Sequence, residues 1–408
     1  MILTIQYLEH NPEPHWLSAK AAAEKLRMAG DILPITHVLI GWDLPRDVLE
    51  ACREEASRMN AKFYRWHPLL TGDGVFIPQP EWEAISLSGQ RIKGYNDLSE
   101  FTFTCPNHPS VEQKVLEHLE EINRKKDYDG FFLDRVRFPS PAHDPASTLG
   151  CFCEYCRQKA ADPGLDLVEV RRQLQQQLAT LEGRKAFVQS LVMKERTGQD
   201  ELSLVEQFFR FRAASITRLV SLAAERIRNS GFGVALDCFS ASLARMVGQD
   251  LSALGSSVEW IKTMTYAHTM GPAGLPYEIT GLLDILTVDH GIDEGEALDF
   301  LGRTMMLRLP GSRAELQEGG LASLALKAEV ARGVMTSSAP LLAGMELVDL
   351  IGVTNLHSEQ VAEDLRAILS AGPAGIALSW DLVHISLDKL RLVEKILRST
   401  PIQPLQHC

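Results

Sequence analysis

The chain has 408 residues, 45% hydrophobic and 23% charged, with a formal net charge of -12. This is the composition of a globular protein, and its acidic balance argues against a phosphate backbone, so no nucleic acid partner is expected. No apolar run approaches the roughly 18 residues that cross a bilayer, so no membrane partner is expected either.

In chain order, residues 2–7 form an apolar, β-rich run ending near Glu9 and His10. No basic segment or cleavage site precedes it, so it reads as a strand rather than an export signal, and a cytoplasmic protein is expected. Helical periodicity follows over residues 17–29, then a second strand over 37–42 that ends in Trp42-Asp43. A helix over 46–59 leads to a third strand over 62–66, ending in Arg65-Trp66-His67. After a helix over 110–125, the fourth strand, 130–134, ends in Asp134, with Arg135 and Arg137 just beyond. A polar helical tract over 167–183 and a long helix over 202–229 precede the fifth strand, 233–237, which ends in Asp237. The sixth strand, 259–266, contains Lys262 and ends near Tyr266 and His268. The seventh, 340–346, ends in Glu346. A helix over 359–370, an eighth strand over 375–380 ending in Trp380-Asp381, and a helix over 387–397 complete the pattern.

Strands alternating with helices imply parallel pairing. Eight such units predict an α/β fold, a closed (β/α)8 TIM barrel with long insertions after strands 3, 4 and 6. A doubly wound open sheet is the competing architecture, but no G-x-G-x-x-G follows the first strand. The whole chain, 1–408, reads as one barrel domain, with an inserted cysteine knuckle and helical subdomain over 140–200.

Chemistry in such a barrel sits at the C-terminal strand ends. Three of the six tryptophans, Trp42, Trp66 and Trp380, fall there, and a flat ring with one polar N–H suits the apolar face of a sugar. With His67, Arg137, Tyr266 and His268 they form the expected substrate-binding set. Asp134, Asp237 and Glu346 each end an apolar strand, where partial desolvation can tune a carboxyl group. Paired carboxyl groups are what glycosidic bond cleavage needs. The expected function is therefore a glycoside hydrolase with a carbohydrate substrate and, as catalytic set, Asp134, Glu346 and Asp237. Two other readings are carried forward. One is a catalytically silent sugar-binding barrel; the other is a class I aldolase or lyase using Lys262 as a Schiff-base amine, although an ion pair between Lys262 and an interior acid is the preferred reading of that lysine. A homo-oligomer stays open.

Four of the seven cysteines, Cys105, Cys151, Cys153 and Cys156, have metal-ligand spacing, the last three as C-x-C-x2-C. Four thiolates around one tetrahedral zinc form a closed, structural site, so structural Zn2+ is expected. A Cys-Pro-Asn after strand three, an acid on strand four and this knuckle together resemble the zinc-bearing β-galactosidases of glycoside hydrolase family 42. That resemblance implies that Cys105 joins the knuckle on the metal and that Glu346 corresponds to the strand-seven nucleophile. Residues 129–139, DGFFLDRVRFP, also resemble the fourth-strand signature of glycoside-hydrolase-like barrel proteins. Family 42 has a glutamate after an asparagine on strand four; here Asp134 follows Leu133, so its β-galactoside specificity is not carried over. With Asp134 as acid/base and Glu346 as nucleophile, the two would flank the scissile bond. In the α-amylase-like arrangement, by contrast, Asp134 attacks and Asp237 is the acid.

Overall fold

The computed structural model describes residues 1–9, 17–95, 98, 101–193, 202–289, 291–354 and 356–399. Eight parallel strands close into a barrel in sequence order: β1 (Ile2–Tyr7), β2 (His37–Ile40), β3 (Lys62–Pro68), β4 (Gly130–Asp134), β5 (Gly233–Phe239), β6 (Trp260–Met264), β7 (Leu341–Glu346) and β8 (Gly375–Ser379). Closure comes from β1 pairing with β8, Ile2 beside Gly375 and Ile5 beside Leu378. Every strand residue of β2, β4, β6, β7 and β8 is buried. The helices cover the outside and side chains fill the inside, so these strands read as unbroken apolar runs.

Period-two alternation sorts the strand residues. Leu39, Tyr64, Trp66, Phe132, Ala235, Trp260 and Leu342 meet Trp42 in one cluster inside the barrel. The intervening residues, such as Val38, Phe63, Phe131, Val234 and Ile261, join the larger core beneath the helices. Truncating a fully buried ring such as Phe132 to alanine is expected to cost about 3–5 kcal/mol. Gly344 on β7 makes room for an inward lysine: a Cβ there would lie 2.5 Å from Lys262 Cε.

Several expected boundaries shift, two of them for local reasons that bear on the site and its surroundings. β2 stops at Ile40, because Gly41 N–H bonds back to Tyr7 O and the chain then turns through Asp43 at φ 57°. The helical tract expected over 167–183 is two helices, Leu167–Leu178 and Leu181–Val192. Thr180 caps the second by accepting from Gly183 N–H at 3.1 Å. The first helix ends so close that a Cβ on Gly183 would meet Gln177 O at 2.2 Å. No helix among the described residues is long and apolar enough to cross a membrane.

Candidate active site

A cavity of about 260 Å³ opens at the C-terminal ends of the strands. Its walls include Asp134, Asp237, Trp66, Arg137, Tyr266 and Trp380 from the expected set, together with Gln6, Glu9, Arg135 and loop residues such as Tyr95, Phe101 and Thr269. Leu133 of β4 pairs with Leu236 of β5. The next residues, Asp134 at the end of β4 and Asp237 two residues before the end of β5, therefore lie at one level on neighbouring strands, about 4.8 Å apart along the sheet.

The two acids differ in their partners. Asp134 accepts on both oxygens, from Trp66 Nε1–H at 2.9 Å and from Arg135 N–H at 2.5 Å. Arg135 holds a left-handed backbone, φ 54°, as it donates that second bond. Asp237 accepts from Lys262 Nζ at 2.8 Å through Oδ2 only, and its Oδ1 is buried with no partner. Burial pushes Asp237 up to about 7, against the pull of the Lys262 ammonium and with the Asp134 charge adding to the rise. Glu9 is likewise pushed up to about 7 by burial, opposed by Arg135, whose Nη2 lies 3.4 Å from Glu9 Oε1. Other polar atoms of the cavity residues, Gln6 Nε2, Thr269 Oγ1 and Arg137 Nε, are also buried without partners. Buried polar groups normally find a hydrogen-bond partner, so this wall is suited to a polar ligand.

Lys262 is fully committed. Its Nζ donates to Gln6 Oε1 at 3.0 Å, Asp237 Oδ2 at 2.8 Å and Tyr266 Oη at 2.7 Å. Burial opposes its charge, but Asp237 and Tyr266 outweigh this and hold it above the ordinary lysine value. A Schiff-base lysine needs a neutral, accessible amine. Lys262 is cationic, is not in the cavity wall, and serves as the ion pair that orients Asp237.

Four residues expected at the site are not in the cavity wall. Trp42 is 1% exposed and packs edge-on against Trp66, centroids 5.8 Å apart, inside the barrel. His67 alternates with Trp66, so when Trp66 faces the interior His67 faces the helices. There it lies near Asp73 and His118, its Nδ1 3.2 Å from Arg65 Nε. Burial and the Arg65 charge keep it well below the usual histidine range. Asp73, His67 and His118 are close enough to share a metal. Asp73 is instead taken by Arg65 at 2.8 Å and His118 at 2.7 Å, and a guanidinium there repels a cation. Glu346 Oε1 accepts from His268 N–H at 2.6 Å. His268 spends both ring nitrogens, on Gly319 O at 2.9 Å and Asp364 at 2.7 Å. Desolvation opposes the imidazolium, yet Asp364 and Glu346 raise His268 above its ordinary value. Glu346 and His268 thus form a strut between β7, the chain after β6 and the helix Ser358–Ser370. His10 lies outside the described residues.

Of the residues that sequence reasoning missed, Gln6 left a signal. It is a polar residue in an apolar run and has the inward parity of Thr4. Tyr95, Phe101 and Thr269 left none, because connecting segments carry them.

The four cysteines converge, each offering a sulfur within 4.8 Å of the others. Cys105 Sγ lies 3.5 Å from Cys153 Sγ and 3.4 Å from Cys156 Sγ. No disulfide joins them. Backbone N–H groups of Ile85 and Cys153 donate to Cys151 Sγ, and those of Asn107 and Cys156 donate to Cys105 and Cys153. Sulfurs of a zinc tetrahedron with bonds of about 2.3 Å lie roughly 3.8 Å apart, so the donor set fits a zinc ion. The helix Leu204–Asn229 braces the cluster. Its Ser215 bonds Asn107, which also donates to Cys156 Sγ, and its Arg212 donates to Gly150 O at 2.7 Å.

The sequence matches no family model and no curated protein, so no sequence match supports the resemblance to family 42. Solved structures do match. The glycoside hydrolase domain of PgaB from Bordetella bronchiseptica aligns with a TM-score of 0.56 at 12% identity, over 96% of this chain and 97% of that one. The catalytic domain of β-amylase from Paenibacillus polymyxa gives 0.53 at 10%, over 99% of each chain. α-L-Fucosidase isoenzyme 2 from Paenibacillus thiaminolyticus gives 0.50 at 14%, over 98% of this chain but 49% of its own. The likeness is one of fold. It places the chain among (β/α)8 barrels of the kind those glycoside hydrolases use.

Proposed function

We propose that the protein hydrolyses a glycosidic bond with Asp134 and Asp237 as its two carboxyl groups. The observation that carries this reading is their placement: one level of neighbouring strands, in one aromatic-walled cavity, with unlike environments. Asp134, already accepting two hydrogen bonds, attacks the anomeric carbon. Asp237, raised by burial, gives its proton to the departing glycosidic oxygen. The glycosyl ester on Asp134 is then hydrolysed by a water whose proton returns to Asp237. Strand spacing of about 4.8 Å favours the carboxyl separation of retaining enzymes, about 5–5.5 Å, over the roughly 6.5–9.5 Å of inverting ones. Tyr266, Trp380 and Trp66 supply ring faces for the sugar, and Arg137 supplies donors. That all three neighbours above carry hydrolase names for carbohydrate substrates supports the class and not the sugar.

Cys105, Cys151, Cys153 and Cys156 would hold a structural zinc. With all four positions taken by protein, it would brace the connections around the mouth and take no part in catalysis.

A panel of nitrophenyl glycosides tests the function. Turnover of at least one by the wild-type protein, lost in Asp134→Asn, is expected. Sugar binding without turnover would favour a silent binding barrel instead.

A further inference from the structure

A second chamber, of about 450 Å³, adjoins the cavity and shares Tyr95, Phe101, Arg137 and Pro272 with it. It is bounded by the connection from β3 to β4, the connection from β4 to β5, and the start of the helix Leu275–Thr287. Its wall is part aromatic, with Phe103, Phe239 and Tyr277, and part polar, with Ser88, Gln90 and Lys93. A wall of flat rings interleaved with hydrogen-bonding groups suits a sugar ring, which has an apolar face and a polar edge.

Arg137 stands where the two chambers join. It is 7% exposed, and its guanidinium sits 4.6 Å from the Phe103 ring centroid and 4.7 Å from that of Phe239. Those rings fix its plane without consuming its donors. Among the described residues, its hydrogen bonding is confined to Phe138 O, at 3.4 Å from Nη1, and Nε has no partner. Arg212, fully buried over phenylalanine rings, is better satisfied: it donates to Gly150 O and Met246 O, each at 2.7 Å, although its Nη2 has no partner. A buried cation with idle donors costs free energy unless a ligand or water accepts from them. Arg137 spends this cost at the neck between two chambers, where a chain passing from one to the other would meet it.

We propose that the outer chamber is a second carbohydrate-binding compartment, and that Arg137 donates hydrogen bonds to the sugar unit lying across the scissile bond. The substrate is then an oligosaccharide chain occupying both chambers, and not a single sugar on a small leaving group. This rests on the glycosidase reading above and adds its substrate class. Binding energy from units remote from the reacting bond can be spent on the transition state, so truncated substrates lose kcat as well as affinity.

The test uses malto-, cello- and chito-oligosaccharides of one to five units, as nitrophenyl glycosides for turnover and as free sugars for calorimetry. For the series that is turned over, kcat/KM should rise about tenfold or more from one unit to three. Tyr277→Ala, at a half-buried residue of the outer chamber wall, should flatten that rise while leaving the one-unit glycoside unchanged. Arg137→Gln should lose the rise through kcat, with Arg137→Lys restoring part of it. If Arg137→Gln does not fold, the Tyr277 variant decides alone. Turnover independent of chain length in the wild type, or a rise untouched in Tyr277→Ala, overturns the proposal and leaves the glycosidase reading standing. Neither turnover nor binding of any series overturns both.

Discussion

Asp237 lies near the end of β5 and Glu346 ends β7, both apolar strands of the same barrel, and burial pushes both up to about 7. Their surroundings diverge. Glu346 lies against the His268 backbone, and the imidazole it adjoins is spent on Gly319 and Asp364. Asp237 is held by Lys262 on one oxygen and leaves the other, in a cavity wall, without a partner. One side of the mouth is a closed strut and the other is open for work. A raised carboxyl group alone therefore does not mark a catalytic one; in the proposed mechanism the idle acceptor beside a cavity is the distinguishing feature.

The largest expected effect that separates the two sides is on turnover. Asp134→Asn should lower kcat by about 10⁴-fold or more, as loss of a catalytic residue does. Glu346→Gln should leave kcat within a few-fold and instead cost roughly 1–3 kcal/mol of stability, the cost of disturbing a buried hydrogen-bond network. Denaturant midpoints and initial rates on the same preparations check both. An inactive but fully stable Glu346→Gln would put Glu346 back into the mechanism.

Asp237→Asn should cost about 10²–10⁴-fold, the usual contribution of a general acid. It should cost least on substrates whose leaving group needs no proton. Asp237 has to be protonated to donate, and its value is raised to about 7. Wild-type activity should therefore hold below that pH and fall as pH rises through it. Glu9 is raised similarly, so the pH–rate profiles of Asp237→Asn and Glu9→Gln separate the two. Loss of the alkaline limb only in Glu9→Gln would move the acid to Glu9.

The cysteine cluster sharpens the comparison from outside the cavity. One zinc per chain is expected by metal analysis of reduced protein, and Cys151→Ser should lose it. The thermal midpoint should then fall while kcat of the folded fraction holds, because metal binding stabilises the fold and supplies no step. Finding no zinc in carefully purified wild-type protein would refute this. The smallest effect is expected at Trp380→Ala. It should weaken sugar binding by about threefold to tenfold, the equivalent of roughly 0.5–1.5 kcal/mol of ring contact.

The barrel and its strand order were legible because each strand is buried on both faces and reads as an apolar run. The cysteine cluster was legible from spacing. The cavity was legible only in part. Asp134, Asp237, Arg137, Tyr266 and Trp380 line it as strand ends should. Trp42 and His67 do not, for two local reasons. β2 ends early, leaving Trp42 packed inside the barrel, and alternation forbids Trp66 and His67 from sharing a face. Glu346 is placed outside the cavity wall by a partner, His268, that is 78 residues away in sequence. The Lys262 ion pair was legible as a pairing with an interior acid, and inward parity shared with Asp237 on the preceding strand points to which acid. Tyr95 and Phe101 lie in a long connection whose course no periodicity specifies.

Azide rescue tests the central claim most directly. An alanine in place of the nucleophile leaves room for a small anion to attack the anomeric carbon of an activated nitrophenyl glycoside. Azide should restore release of nitrophenol in Asp134→Ala, giving a glycosyl azide of inverted configuration, and should do nothing for Glu346→Ala. Rescue of Glu346→Ala, with Asp134→Ala unresponsive, would contradict the account and return the nucleophile to β7.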